Sequence, residues 1–376
     1  MSTLRSGFTT GACAAAAAKA ATLLLLAGQH PEQVDILFPN GERHSFLLHT
    51  CKLQEGNAMA SVIKDAGDDP DVTNGAEILA SVRELELEEG EETVVLRAGA
   101  GVGTVTKPGL PVAVGEPAIN PGPRRMIREA VAEVTERQNR PVRLAVTVSV
   151  RNGEQLAEQT LNKRLGILGG LSILGTTGIV RPVSAKAWTD TVDASMKVAR
   201  AAGLDQVILS TGRTSEAAVQ KILHLPEEAQ VMMGDYLAYA LTAAQRHGFR
   251  RIHLAGMWAK VLKCALCIPQ THVRNGALEM KQAARLLGEL RLEQESVARM
   301  AAANTAREIL QILQAQGRAD LIRAVCLRAR EYAEQCSGLQ VDIYLVTSED
   351  GVIECSLATS DLTSCFKKNS RFSITL

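Results

Sequence analysis

Chemistry in this chain resides in clusters of glycine, arginine and carboxylate. No nucleophile–base pair is visible. The densest cluster runs from Gly115 to Ile127 and reads GEPAINPGPRRMI. Each of its three prolines locks φ, which fixes an irregular loop, and a helix opens behind it. Arg124, Arg125 and, one turn on, Arg128 sit at that helix start. Cations there oppose the helix dipole, so a bound anion would relieve the conflict. With Arg97 and Lys107, residues 97–128 hold five cations against one acid, Glu116. The plainer alternative is a solvated face, or internal pairing with Glu116 and Glu129.

Three further clusters point to ligands or metals. Lys64 to Thr73 (KDAGDDPDVT) places four carboxylates within seven residues. That suits a hard cation, although the spacing is not that of an EF-hand and Asp and Gly also serve turns. Cys264-Ala265-Leu266-Cys267 near His272 supplies three potential ligands where a structural zinc needs four. Neither a structural metal nor a disulfide is expected there. Gly99-Ala100-Gly101-Val102-Gly103 follows a strand, but Thr104 and Val105 start a helix poorly and Pro108 would break one. A dinucleotide fingerprint is therefore rejected. A tight turn between strands, or a loop whose bare backbone admits a flat ligand, remains.

The elements that must position these clusters change rhythm along the chain. Up to about residue 150, apolar or alternating runs (34–38, 45–49, 58–64, 92–97, 142–150) are separated by Gly/Pro-rich loops, with one helix expected from about Arg125 to Gln138. This predicts an α+β domain over 1–150. From 151 to 376, short apolar strands alternate with helices. Strands are expected at 171–174, 207–209, 229–233 and 252–255. Helices are expected at 186–202, after Ser215 and at 236–247. That alternation predicts an α/β domain with a parallel sheet. A helical segment over 277–337, broken near Gly317, and a C-terminal hairpin of 341–346 with 352–356 complete it. The expected strands end in small or polar residues: Gly175-Thr176-Thr177-Gly178, Ser210-Thr211-Gly212, Gly234-Asp235 and Gly256-Met257. Open α/β sheets bind ligands outside such carboxyl ends. Thr177, Thr211, Gly212, Gly234, Asp235 and Gly256 are therefore the candidate cofactor contacts.

Bulk composition excludes other classes. Lys plus Arg equals Asp plus Glu at 41 each, so no global field draws nucleic acid or anionic membrane. Aromatic residues make up 3% of the chain, too few for a single-strand stacking platform. Eight scattered cysteines read as reduced cytosolic thiols. The run from Gly11 to Gly28 (GACAAAAAKAATLLLLAG) has the look of a signal peptide, but Lys19 interrupts it and it is short and Ala-rich for a bilayer span. It is expected to be a helix of a cytoplasmic protein, capped by Thr9 or Thr10.

Taken together, these blocks resemble the cobalt-precorrin-5B C1-methyltransferase family of anaerobic cobalamin biosynthesis. The resemblance rests on Thr9-Thr10-Gly11-Ala12-Cys13-Ala14, Lys64 to Thr73, Gly115 to Ile127, and Leu165-Gly166-Ile167-Leu168-Gly169-Gly170 through Arg181-Pro182. Thr211-Gly212-Arg213 with Glu216, Gly234-Asp235, and Thr271-His272 with Arg274 follow in the same order. The chain departs from the family pattern at Asn74, Ala259, Cys267 and Gln270. The resemblance implies an α+β domain joined to a Rossmann-like domain. It also implies methyl transfer from S-adenosylmethionine to C1 of a cobalt-containing corrinoid, whose cobalt travels with the substrate. Such a substrate carries many carboxylates, so arginines should hold its rim. The residues expected to bind it are Thr10, Gly11, Lys107, Glu116, Asn120, Arg124, Arg125, Arg181, Arg213 and His272. No catalytic acid or base is assigned. A homo-oligomer is compatible with the sequence. Two alternatives stand beside this reading. One is a non-catalytic corrinoid carrier. The other is a phosphate-binding enzyme using the Thr9-Thr10-Gly11 helix start, disfavoured because no P-loop lysine motif is present.

Overall fold

Alanine, the best helix former, fills most of the first helix. In the computed structural model that helix becomes the centre of an N-terminal core. Residues 4–54, 56–87, 90–138, 140–182, 184–271 and 278–357 are described. The chain divides into two compact units, Met1–Ser184 and Ala185–Leu376.

The first unit opens with β1 (Gly7–Phe8), α1 (Thr10–Ala27), β2 (Gln33–Leu37), β3 (Arg43–Leu47), β4 (Thr50–Gln54) and β5 (Asn57–Ile63). It continues with β6 (Glu77–Leu85), β7 (Val94–Ala98), β8 (Gly101–Val102), β9 (Thr104–Val105), α2 (Pro121–Thr135) and β10 (Arg143–Val150). It closes with α3 (Gly153–Ala157), β11 (Ile167–Leu168), β12 (Gly170–Leu171) and β13 (Ile179–Val180). The main sheet has the order β4-β5-β6-β10-β7, with only β10 and β7 parallel. Against β5, β6 and α2 lies α1, whose residues Ala12 to Ala18, Ala20 and Ala21 are wholly buried. Methyl-sized side chains let the helix approach its neighbours closely. Lys19, which interrupts the run, leaves the apolar face to reach Glu133 of α2 (2.5 Å) and the carbonyl of Asp35 (2.8 Å). By length and composition α1 is apolar enough to cross a membrane. Its apolar surface is instead covered inside the unit.

The first unit extends beyond residue 150 because its last strands pair backwards. β12 runs parallel to β8, β11 pairs with β9, and β13 pairs with β1. The expected strand at 171–174 therefore belongs to the N-terminal unit and not to the α/β sheet. In the glycine-rich stretch at 99–103, Gly99 and Ala100 turn the chain from β7 into β8, which fits the turn, one of the two readings of that stretch. Its bare backbone serves close packing: a Cβ on Gly101 would lie 2.1 Å from the Val150 carbonyl.

The second unit starts with α4 (Ala185–Ala201), β14 (Gln206–Ser210), α5 (Arg213–Leu223), β15 (Gln230–Met232), α6 (Leu237–Arg246), β16 (Arg251–Met257) and α7 (Trp258–Ala265). Then come α8 (Met280–Glu289), α9 (Gln294–Ala301), α10 (Ala306–Ala315), α11 (Ala319–Ser337), β17 (Gln340–Thr347) and β18 (Gly351–Cys355). The sheet order is β15-β14-β16-β17-β18, parallel except for β18. Alternate strand residues feed two cores. Val207, Leu209, Ile252 and Leu254 join one with α4, α6, α7 and α11, while Ile208, Ala255 and Tyr344 join the other with α5.

Near the start of these strands lies a buried polar group. His253 contacts the Tyr344 hydroxyl (3.2 Å) and the Gln206 carboxamide oxygen (3.0 Å), while Arg251 donates to Asp342 (2.6 Å). Burial, opposed by Asp342 and reinforced by Arg251, pushes the His253 pKa down to about 4. The unfolded chain then binds the proton more readily than the folded one. Stability should be full above pH 6.5 and fall as pH drops toward 4, by up to about 3 kcal/mol. Urea midpoints at pH 7, 5.5 and 4 should show the decline, and His253→Gln should flatten it. In the first unit, a Cβ on Gly11 would lie 2.6 Å from Pro123 Cγ, a ring carbon with little freedom to yield. Gly11→Val is expected to cost at least about 1–3 kcal/mol of stability in denaturant titration.

Candidate functional site

In the first unit the signature blocks meet at the N-terminus of α1. Thr9 caps the helix by accepting from the Ala12 amide (3.2 Å), and its own amide donates to the Gly178 carbonyl (2.9 Å). The Thr10 hydroxyl accepts from the Leu174 amide (3.0 Å), and the Gly11 amide donates to the Leu174 carbonyl (3.1 Å). Gly11 abuts Pro123 at the start of α2, and Gly122 abuts the Gly175 carbonyl. From the other side, the Lys64–Thr73 block is laced to the N-terminal strand: the Phe8 amide donates to the Asp65 carbonyl (2.7 Å) and the Asp68 amide to the Arg5 carbonyl (2.9 Å). The amides of Gly11 and Ala12 thus serve the protein's own oxygens, which counts against the helix start as a phosphate cradle.

These blocks enclose a cavity of about 190 Å³. Thr9, Thr10, Thr73, Thr160, Asn162 and Ser172 line it beside Val72, Leu171, Leu174 and Val180. Lys64, 1% exposed, also lines it and donates to Asp71 (2.7 Å). Burial pushes the Asp71 carboxyl up, but the bonds from Lys64 and Thr73 outweigh it and hold the pKa below the ordinary range. The Lys64–Thr73 acids are therefore occupied within the protein. Asp71 takes Lys64 and Thr73, Asp65 takes the Arg5 guanidinium, and Asp68 takes the Arg5 amide.

The expected substrate residues separate into two kinds. Arg124 donates from Nε to the Ile119 carbonyl (2.7 Å) and from Nη2 to the Pro117 carbonyl (3.0 Å) and Glu116 (3.3 Å). It fastens its own loop. The Asn120 amide donates to the Ile173 carbonyl, and the Lys107 stem packs on Gly166 while its ammonium reaches the Arg164 carbonyl (3.4 Å). Arg125 stands exposed, 3.9 Å from Glu129. Arg181 in the first unit and Arg213 in the second are exposed as well. His272 lies outside the described residues.

In the second unit, Thr211, Gly212, Gly234, Asp235 and Gly256 do gather at the carboxyl ends of β14, β15 and β16. Thr177 does not join them. It lies in the first unit, where its hydroxyl accepts from the Ile179 amide (3.3 Å) beside β13. At the strand ends, Asp235 pairs with Lys260 and accepts from the Thr271 hydroxyl (2.7 Å). Lys260 and Lys263 both donate to the Thr271 carbonyl (3.0 and 2.9 Å). Burial, and Lys260 beside it, lower the Lys263 pKa against a partial lift from Asp235. Sequence reasoning missed both lysines. Their spacing of three on α7 puts them on one helix face, but α7 itself was not foreseen. Cys264 is buried with its Sγ on the Ala329 carbonyl (3.3 Å), and burial pushes its thiol well up. It packs as a small apolar group.

Comparison with known proteins gives a consistent likeness. The CbiD family model matches residues 1–182, and the CbiD C-terminal domain model matches residues 270–356. A cobalt-precorrin-5B C(1)-methyltransferase of Desulfotalea psychrophila is 57% identical over 356 residues, covering 93% of this chain and 97% of that protein. One of Geobacter metallireducens is 49% identical over 367 residues, covering 93% and 98%. A crystal structure of a cobalamin biosynthesis protein (CbiD) from Archaeoglobus fulgidus aligns with 69% of this chain and 79% of its own, at 29% identity and a TM-score of 0.38.

The Lys64–Asp71 pair makes the first cavity testable. Lys64→Met leaves a largely buried carboxylate without its ammonium. Because Asp71 keeps 26% side-chain exposure, the expected loss is about 2–4 kcal/mol, below that of a fully enclosed pair. Lys64→Met with Asp71→Leu should recover part of it in the same denaturant titration.

Proposed function

The chain belongs to the CbiD family, and we propose that it methylates C1 of cobalt-precorrin-5B, giving cobalt-precorrin-6A in the anaerobic cobalamin pathway. The observation that carries this is the likeness, over nearly the whole chain, to relatives named for that activity. The name implies S-adenosylmethionine as donor. We read the first unit as the corrinoid-binding domain and the second as a Rossmann-like domain for the donor. We place the enzyme in the cytoplasm, on the free thiols of Cys13, Cys264 and Cys326.

The donor supplies a methyl group on a sulfonium, already electrophilic, so the ring carbon's electron pair forms the new bond as the S–CH₃ bond breaks. The protein's work is then alignment and exclusion of water. The backbone at Gly212 and Gly234 gives close access at the strand ends, and Asp235 offers a carboxylate to ribose hydroxyls. Arg125 and Arg181 grip substrate carboxylates in the first unit, and Arg124 keeps the Gly115–Pro123 loop rigid for that grip. The cobalt ion enters with the substrate. Support for this division comes from the exposed guanidiniums and the open strand-end glycines.

Anaerobic incubation with labelled S-adenosylmethionine and cobalt-precorrin-5B should yield a product one methyl heavier. Binding of both ligands without product would instead favour a carrier. In calorimetry, Asp235→Ala should weaken S-adenosylmethionine binding about tenfold while corrinoid binding holds. Unchanged donor affinity in the folded variant would remove Asp235 from the site.

A further inference from the structure

Tryptophan is rare here, with two in the chain. Trp258 is 3% exposed within the core, whereas Trp188, in the first turn of α4, is 40% exposed. Leaving an indole in water forgoes the gain of burying it. Single exposed apolar residues are ordinary, so exposure alone carries nothing. Position carries more. A Cβ on Gly234 would lie 3.7 Å from the Trp188 six-membered ring, so the indole stands against the backbone at the end of β15. Gly234 itself holds a left-handed φ of 57°. Tyr236, the residue before α6, brings a second ring to 6.5 Å from the Trp188 indole, tilted by 41°. Two of the chain's few aromatic rings thus flank Gly234-Asp235. Across the same sheet edge, a Cβ on Gly212 would meet nothing within 4 Å. The crevice beneath, lined by Thr211, Gly256, Lys260 and Thr271, holds only about 10 Å³, about the least that admits a water. A ligand must therefore lie over the edge and cannot sink below it.

A flat, weakly polar heteroaromatic ring attached to a vicinal diol fits these features. The ring lies on the indole and the hydroxyls donate to Asp235. We propose that Trp188 is the wall against which the adenine of S-adenosylmethionine stacks, with Tyr236 as its flank. This rests on the assignment of the donor to the second unit. Base–aromatic stacking lost on truncation to alanine weakens binding roughly five- to hundredfold.

The probe is S-adenosylhomocysteine, titrated into wild type, Trp188→Ala and Trp188→Phe by calorimetry and by tryptophan fluorescence. Phenylalanine keeps a stacking face and guards against a folding defect. The wall predicts weakening of at least fivefold in Trp188→Ala and less than about threefold in Trp188→Phe. It also predicts quenching of wild-type emission on binding that disappears in Trp188→Phe, where Trp258 alone emits. If wild type binds without quenching and Trp188→Ala binds within twofold of it, the wall is overturned and the donor assignment survives. If wild type binds no S-adenosylhomocysteine, both fall. If Trp188→Ala loses corrinoid affinity but not S-adenosylhomocysteine affinity, the indole serves the macrocycle and the proposal is overturned.

Discussion

The first unit depends on the lack of side-chain volume along α1. Glycine at 11 and the eight alanines between 12 and 21 let the helix sit closely against β5, β6 and α2. Only that approach brings the Leu174 carbonyl to the Gly11 amide and the Pro123 ring to the Gly11 backbone. The starts of both long helices, the 171–175 segment and the Lys64–Thr73 loop are then held together. The cavity is what remains among them. A larger side chain on α1 would separate these pieces before it touched any ligand, so the blocks that look like binding motifs are in large part packing motifs.

The second unit follows a different constraint. A parallel sheet must return each chain by a crossover, so all its strands finish at one edge, and that edge collects chain reversals. There, small residues at 211–212, 234 and 256 bare the backbone, while Lys260, Lys263 and Thr271 close the gap below. Asp235 is fixed by Lys260 and Thr271, so its carboxylate is already oriented, with less side-chain entropy left to lose.

What the sequence reveals follows how local the cause is. The α/β alternation from 185 to 257, the break at Gly317 and the final hairpin are set by neighbours in the chain, and all are legible. β6 is not. It lies at the heart of its sheet yet carries Glu77, Arg83 and Glu84, which read as solvent-facing. Glu77 is buried only because Ser61 (2.7 Å) and Arg151 (2.5 Å) bond it, from sixteen residues before and well after it in the chain. The stretch at 171–174 reads as an α/β strand, but the segment around it pairs with β8, β9 and β1, and the close approach of Gly170 to Gly101 is visible only across the fold. Thr177 therefore falls in the first unit, away from the strand ends of the second unit's sheet. The strand-end residues themselves were legible because sheet polarity, a local property, places them. Their lysine partners were not, since α7 is short and Thr271 lies beyond it.

The charge pattern completes the division of labour. The chain has no net charge, so no long-range field gathers a polyanionic corrinoid, and recognition falls to individual groups. Several lysines near the candidate sites are already engaged: Lys64 with Asp71, Lys260 with Asp235, and Lys263 and Lys107 with carbonyls. A buried ammonium needs such partners, because its compact charge is costly to desolvate. Guanidiniums are more weakly hydrated and bind carboxylates in a planar, two-pronged way. Arg124 uses that fork inward, on the Ile119 and Pro117 carbonyls, and so stiffens the loop that precedes it. Arg125, next along the helix, points to solvent with only a long contact to Glu129. One arginine of the pair is thus engaged with its own loop and the other faces solvent, at a helix start where the dipole favours neither.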